Sequence, residues 1–374
     1  MLTIPPLSLY IHYPWCLKKC PYCDFNSHEG EVKTGYINAL IEDLEGDLKY
    51  VQNRAIESIF IGGGTPSLMS TEDANDLIDG LKERLTFSDN VEITMEANPG
   101  TFEVEKFAEF RNIGINRLSI GVQSFEDRQL KFLGRVHSSN EAINAITEAQ
   151  RVGFKNLNID LMYGLNGQSI DMCIEDLNKA IELNPSHISF YQLTLEPNTL
   201  FSKFPPRLPS EEVIWEMGEK GANLLNKKGF RQYEVSAYST TPSIHNLNYW
   251  TFGDYIGIGA GAHGKITDMN THQIFRTLKL KSPNEYLLSF KKNKKTSRKK
   301  MVDSLSFEFM LNGLRLIDGF DSGLYESRTG LSIESVRSQI IKAEKLNLLD
   351  TRDNWIKPTK SGYSFLNELQ EIFL

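Results

Sequence analysis

Leu7-Ser8-Leu9-Tyr10-Ile11-His12-Tyr13-Pro14-Trp15-Cys16-Leu17-Lys18-Lys19-Cys20-Pro21-Tyr22-Cys23 joins a β-rich run to three cysteines spaced CxxxCxxC. Leu7 to Tyr13 reads as a strand, so the cysteines sit on the loop that follows it. Three of the chain's four cysteines fall within eight positions, which is no disulfide framework; in a reducing compartment such a group is a metal or catalytic site. Three thiolates on one short loop can hold three irons of a [4Fe-4S] cubane and leave the fourth iron open to a substrate. The alternative is a structural zinc site completed by His12 or His28, although zinc ligands usually come as paired CxxC-like knuckles. Cys173, beside Met172 and Ile174 in a helical stretch, reads as a small core residue.

Outward from this loop, β-rich runs alternate with segments of helical period, the pattern of a parallel sheet with crossover helices and hence an α/β fold. The strand candidates are Leu7 to Tyr13, Ile56 to Ile61, Val91 to Glu96, Arg117 to Val122, Asn156 to Leu161 and His187 to Leu193. Between the first two, Tyr36, Leu40, Leu44, Leu48 and Val51 form one apolar helical stripe, with Glu42, Asp43, Glu45 and Asp47 on the other faces. Pro197, Pro205, Pro206 and Pro209 then mark a change of architecture. A helix from about Ser210 to Lys228, a strand from Phe230 to Tyr238 and a tight Gly-rich turn from Gly257 to Gly264 follow. Lys291, Lys292, Lys294, Lys295, Arg298, Lys299 and Lys300 read as a solvated basic linker ending near Met301. Beyond it, helical periods and a hairpin-like stretch from Asp350 to Trp355 suggest a small winged-helix-like unit.

The 374 residues are 40% hydrophobic and 24% charged, enough for one large domain and a smaller one. A formal charge of -7 gives no reason to expect a nucleic acid as partner. The sequence has neither a long uncharged apolar run nor a leader-like start, so a cytoplasmic protein without a membrane span is expected.

If the six strands form a partial β/α barrel, ligands belong at their C-terminal ends. Polar and glycine residues gather there: Tyr10, the Gly62-Gly63-Gly64-Thr65-Pro66 run, Glu96 with Asn98 beyond, Gln123, Arg135, Asp160 and Thr194. Glycines allow close backbone approach to a ligand, a carboxylate such as Glu96 can pair with an ammonium group or ribose hydroxyls, and Arg135 can fork onto a carboxylate.

CxxxCxxC after an N-terminal strand resembles the signature of the radical S-adenosylmethionine superfamily, and the likeness covers most of the chain. It implies a partial (β/α)6 barrel over residues 1–209, a region completing it over 210–290, and an accessory C-terminal α+β unit over 301–374. It further implies a [4Fe-4S] cluster on Cys16, Cys20 and Cys23 whose open iron is chelated by the methionine amino and carboxylate groups of S-adenosylmethionine. An electron donor would reduce the cluster, and the electron would break the sulfonium to give a 5'-deoxyadenosyl radical. By the same resemblance Tyr10, Tyr22, Gly63, Gly64, Thr65, Glu96, Gln123, Arg135, Asp160 and Thr194 line the nucleotide site, with Tyr22 beside adenine.

Tyr10 to Cys16, Gly62 to Ser67 and Gly121 to Phe125 are similar to the branch holding oxygen-independent coproporphyrinogen III dehydrogenase, an enzyme of porphyrin biosynthesis. That enzyme typically has a fourth cysteine where this chain has Phe25, and a longer leading segment. Both departures point to its relatives, the HemW-type heme chaperones. So does His245-Asn246-Leu247-Asn248-Tyr249-Trp250, which matches their HNxxYW element. The expectation is heme on His245, passed to an unidentified acceptor protein, with the dehydrogenase as the alternative and substrate turnover left open. His263, in the Gly-rich turn, is a second histidine near either cofactor, read as a packing residue.

Overall fold

The computed structural model describes residues 1–100, 104–292 and 297–374. Strands β1 (Leu7–Tyr13), β2 (Ile56–Gly63), β3 (Phe87–Ala97), β4 (Arg117–Gln123), β5 (Asn156–Tyr163) and β6 (His187–Gln192) lie in chain order, each parallel to the next. All six were legible as β-rich runs; the last ends at Gln192, which leaves Thr194 beyond the strand. The sheet continues past both ends of this parallel set. Antiparallel β7 (Arg231–Gln232) and β8 (Ala237–Ser239) extend it beyond β6, so the single strand expected from Phe230 to Tyr238 is a pair with a turn between. On the other side β9 (Asp254–Ile258) runs parallel to β1, followed by antiparallel β10 (His263–Asp268), β11 (Gln273–Lys279) and β12 (Ser297–Met301).

β12 corrects the linker reading of the basic stretch: residues 297–301 are an edge strand hydrogen-bonded to β11, whereas 293–296 lie outside the described residues. Arg298, Lys299 and Lys300 are exposed on it, and lysine-rich edges resist pairing with other chains.

The two faces of the parallel sheet differ in kind. Leu9 and Ile11 on β1, Ile59 and Ile61 on β2, Leu118 and Ile120 on β4, and Ile159 and Leu161 on β5 belong to one apolar core. The helix Tyr36–Asp47 adds Tyr36, Leu40 and Leu44 to that core, as its stripe predicts. Asp43 and Asp47, expected on its exposed faces, are buried instead. Lys279 Nζ lies 2.6 Å from Asp43 and 2.7 Å from Asp47, pinning the helix to β11.

A second core holds Phe309, Met310, Phe320, Tyr325, Ile340, Leu349 and Ile356, built from C-terminal helices and a three-stranded antiparallel sheet. That sheet pairs β13 (Phe320–Asp321), β14 (Leu349–Arg352) and β15 (Trp355–Pro358), the last two forming the expected hairpin. Among the described residues no helix is long and apolar enough to cross a membrane.

Candidate cofactor site

The cysteine loop leaves β1 and is held at its root by backbone bonds from the end of β2. Gly64 N donates to Tyr13 O at 2.8 Å and Thr65 N to Trp15 O at 2.7 Å. A side chain at 64 is impossible, since a Cβ there would lie 2.4 Å from Trp15 O. Gly63 has φ of 120°, which side chains rarely adopt. The far end of the loop is tied by Lys19 Nζ, which donates to the carbonyls of Phe25 and Ser27 at 3.0 and 3.1 Å.

A hydrogen-bonded chain links two of the thiols. Arg135 donates from Nη1 to Cys20 Sγ at 3.8 Å and from Nη2 to Asn98 Oδ1 at 2.5 Å and Gly121 O at 2.7 Å. Asn98 Nδ2 donates to Thr65 Oγ1 at 3.0 Å, and Thr65 Oγ1 lies 3.6 Å from Cys16 Sγ. Cys23 Sγ sits 3.6 Å from Ser27 Oγ. Burial pushes the Cys16 thiol up, against the hydrogen bonds from Thr65 and Ser27.

Below the loop lies a cavity of about 460 Å³. Its wall includes the three cysteines, Tyr22, Gly63, Gly64, Thr65, Glu96, Gln123, Arg135, Asp160 and Thr194. Gln123 reaches it through a break in register between β4 and β5, with φ of 73°, and its Oε1 accepts from Tyr191 at 2.8 Å. Glu96 Oε2 accepts from Gly63 N at 3.0 Å. Burial, opposed by that bond and reinforced by Asp160, pushes the Glu96 carboxyl up to about 7. Tyr10 lies outside this wall. It lines an adjoining cavity with Tyr249, Tyr255 and His263, which meets the first at Gly63, Glu96 and Phe25. The exposed side of His263 faces that second space, not a packed turn.

His245 is also away from the main cavity. It is the second residue of the helix Ile244–Trp250 and is 1% exposed, with Nδ1 2.9 Å from Ser58 Oγ, its ring stacked on Phe60 and edge-on to Tyr249. Burial, with Arg117 nearby, pushes its pKa down to about 3. Among the described residues its Nε2 has no hydrogen-bond partner, and neither do Asn248 Oδ1 and Trp250 Nε1 in the same helix.

The radical SAM superfamily model matches residues 10–180, and the HemN C-terminal domain model matches residues 303–365. The chain is 46% identical to heme chaperone HemW of Escherichia coli (strain K12) over the whole of both chains. The chain belongs to the HemW family of radical SAM proteins. HemW of Haemophilus influenzae is likewise 46% identical, over 100% of this chain and 99% of the relative. HemW of Bacillus subtilis is 32% identical, over 98% and 99%. Among solved structures, coproporphyrinogen III oxidase (HemN) from Escherichia coli, a radical SAM enzyme, superposes with a TM-score of 0.84 at 21% identity, covering 99% of this chain and 90% of that one; this likeness is one of fold.

In this HemW-family chain the donor set suits an iron–sulfur cluster better than a single ion. Cys16, Cys20 and Cys23 all line one cavity wall. A cubane asks only one thiolate per iron, so three cysteines spaced along a loop fit it. His12 is no ready zinc ligand, because both ring nitrogens are engaged, with Tyr10 Oη at 2.9 Å and Asn26 O at 3.0 Å.

Attention to strand ends alone missed the cavity's lower wall: Arg117, Ser119, Asn158 and Ser189, together with Ser236 and Asn246. The signal was present as a period of two. Arg117, Ser119, Gly121 and Gln123 alternate on β4, as Asn158, Asp160 and Met162 do on β5. A barrel whose inward face is polar encloses a ligand space rather than a packed core.

Proposed function

We propose that this chain is a heme chaperone that carries a [4Fe-4S] cluster on Cys16, Cys20 and Cys23, binds S-adenosylmethionine in the cavity beneath, and passes heme to an acceptor protein. The observation that carries the reading is identity of 46% from end to end with a protein named a heme chaperone, against 21% with the oxidase that shares the fold. Phe25 agrees with it, standing on the cavity wall where the oxidase branch is expected to have a further cysteine.

When bound, the cluster and nucleotide together supply reductive cleavage of a sulfonium. The chain's own residues hold and screen that chemistry. The Cys20–Arg135–Asn98–Thr65–Cys16 chain fixes two thiolates, and Arg135 places a cation beside one of them. Glu96, poised near neutrality, is an acceptor for an ammonium group or ribose hydroxyls. Imidazole is a common heme ligand, and His245 is neutral throughout the physiological range, as ligation requires. Its burial means that ligation needs the helix Ile244–Trp250 to turn outward first.

The test is anaerobic cluster reconstitution followed by heme titration, reading the Soret band of the unaltered protein and of His245→Ala. The expected result is one heme per chain, lost in the variant, with no coproporphyrinogen turnover. Turnover without heme binding would make the chain a dehydrogenase despite Phe25. Release of 5'-deoxyadenosine during heme transfer would show that the nucleotide is consumed; its absence would confine cluster and nucleotide to a structural or redox-setting part.

A further inference from the structure

The cavity has two tiers, and the residues expected to hold the nucleotide occupy only the upper one. From Gln123 at the top of β4 to Arg117 at its start is six residues, roughly 20 Å of strand. Arg117, Ser119, Asn158, Ser189, Ser236 and Asn246 form the floor.

Arg117 is 2% exposed, yet its guanidinium, with five N–H donors, makes no hydrogen bond among the described residues, and Nε is buried without a partner. The anion paired with it, Glu92, stands 4.0 Å from Nε, beyond hydrogen-bond reach. That carboxylate is already committed. It accepts from Ser243 Oγ at 2.9 Å, His245 N at 3.1 Å and Ile244 N at 3.2 Å, capping the start of the helix Ile244–Trp250.

The neighbours are arranged so that donors remain. Asn158 is saturated: its Nδ2 donates to Ser119 Oγ at 2.8 Å and Asp160 Oδ1 at 2.7 Å, and its Oδ1 faces His187 Nδ1 at 2.6 Å and accepts from Ser189 Oγ at 3.1 Å. Ser119 therefore accepts and keeps its own hydroxyl proton free, two residues from Arg117 on the same face of β4. An idle guanidinium in a buried cavity calls for an acceptor, because burying a charged donor without one is unfavourable.

We infer that the floor of the cavity is a carboxylate-binding subsite, in which Arg117 and Ser119 take the carboxylate of a small molecule lying beneath the nucleotide. The planar fork of arginine matches a carboxylate's two oxygens, and the Ser119 hydroxyl adds a third donor. A phosphate fits less well, since its second charge would face Glu92 and Asp160. The inference does not depend on whether heme is carried.

Saturation-transfer NMR with sodium propionate as the probe, on the anaerobically reconstituted chain at fixed ionic strength, tests it. The expected result is a saturable propionate signal that persists when S-adenosylmethionine is present. It should fall at least tenfold in Arg117→Met and in Ser119→Leu, the second of which fills the floor without touching the Arg117–Glu92 pair and decides the matter if the first does not fold. Absence of a saturable signal, its retention in a folded Ser119→Leu chain, or stronger displacement by inorganic phosphate than by acetate would overturn the subsite. Abolition by S-adenosylmethionine would show instead that the floor belongs to the nucleotide, and would overturn a separate site equally.

Discussion

At Glu96 the same burial that prepares a ligand contact weakens the fold, and the two effects can be separated by pH. In the unfolded chain this carboxyl ionises near 4.5, whereas in the folded chain it is pushed up to about 7. Between those values the folded state retains a proton that the unfolded state has lost, so stability falls as pH rises through the window and stays low above it. Glu96→Gln removes the penalty while keeping an acceptor for Gly63 N. It should stabilise the cluster-free chain by about 3 kcal/mol at pH 8 and change little at pH 4. S-adenosylmethionine binding to the reconstituted variant should weaken, for want of the charge. Denaturant midpoints at the two pH values and a nucleotide titration check both halves; a lower midpoint for the variant at pH 8 would mean that ionised Glu96 is compensated. Much of this residue scale was legible. CxxxCxxC and the polar strand ends needed only spacing and an alternating pattern, and the structure gathers most of them on one cavity wall. The Asn98 link between Arg135 and Thr65 was not, because partners 37 and 33 positions away leave no local signal.

At the scale of elements, the helix Ile244–Trp250 combines firm anchors with unspent polar atoms. Glu92 caps its start, Ser58 holds His245 and Phe60 covers the ring, yet His245 Nε2, Asn248 Oδ1 and Trp250 Nε1 are buried without hydrogen-bond partners among the described residues. Such atoms each cost free energy, so the packed arrangement is stabilised less than its burial suggests. If heme ligation requires this helix to turn out, weakening its hold should strengthen heme binding. Ser58→Ala removes the hydrogen bond to His245 and should cost the packed state about 1 to 1.5 kcal/mol. The apparent heme affinity should then rise by up to about tenfold, with faster amide exchange across 244–250. Soret titration and hydrogen exchange measure the two; an unchanged affinity beside faster exchange would separate the helix's mobility from heme binding. The sequence shows this element as a motif but not its burial, because what covers it comes from β1, β2 and β3 far away in the chain. For the same reason Asp43 and Asp47 read as a solvated helix face, while Lys279, more than two hundred positions on, draws them inside. The six parallel strands fared better, since the alternation that makes a strand is local. However, β9, β10 and β11 were not read as strands, the Gly257 to Gly264 turn covering the end of β9 and the start of β10. β12 was hidden because an exposed basic edge and a linker have the same composition.

For the whole molecule, the question is how the C-terminal unit is joined to the barrel, and Phe252 is the joint. It lies two residues past the end of the helix Ile244–Trp250, after Thr251, takes φ of 56°, and inserts its ring into the C-terminal core with a centroid separation of 5.7 Å from Phe309. On its barrel side Lys265 Nζ sits 4.2 Å over the same ring and donates to Phe252 O at 2.9 Å and to Asp254 at 3.0 Å. Arg315 and Arg328 add contacts from the C-terminal unit, one over the Trp250 ring and one to Thr251 O. The helix Ile244–Trp250 is thus bracketed, with barrel strands at its start and the C-terminal core at its end. Phe252→Ala should remove the shared ring and leave a cavity, at a cost of about 3 to 5 kcal/mol. The loss should fall on the C-terminal core, of which Phe252 is a member, and on its junction with the barrel, whose own core does not include that ring. Calorimetry should therefore show one thermal transition in the unaltered chain and two in the variant, the earlier belonging to the C-terminal unit. The same substitution frees the end of the helix Ile244–Trp250, so exchange across 244–250 should quicken as expected for Ser58→Ala, although the two changes lie at opposite ends. A single transition merely shifted to lower temperature would show that barrel and C-terminal unit unfold as one body, and that the helix is released from its capped end alone.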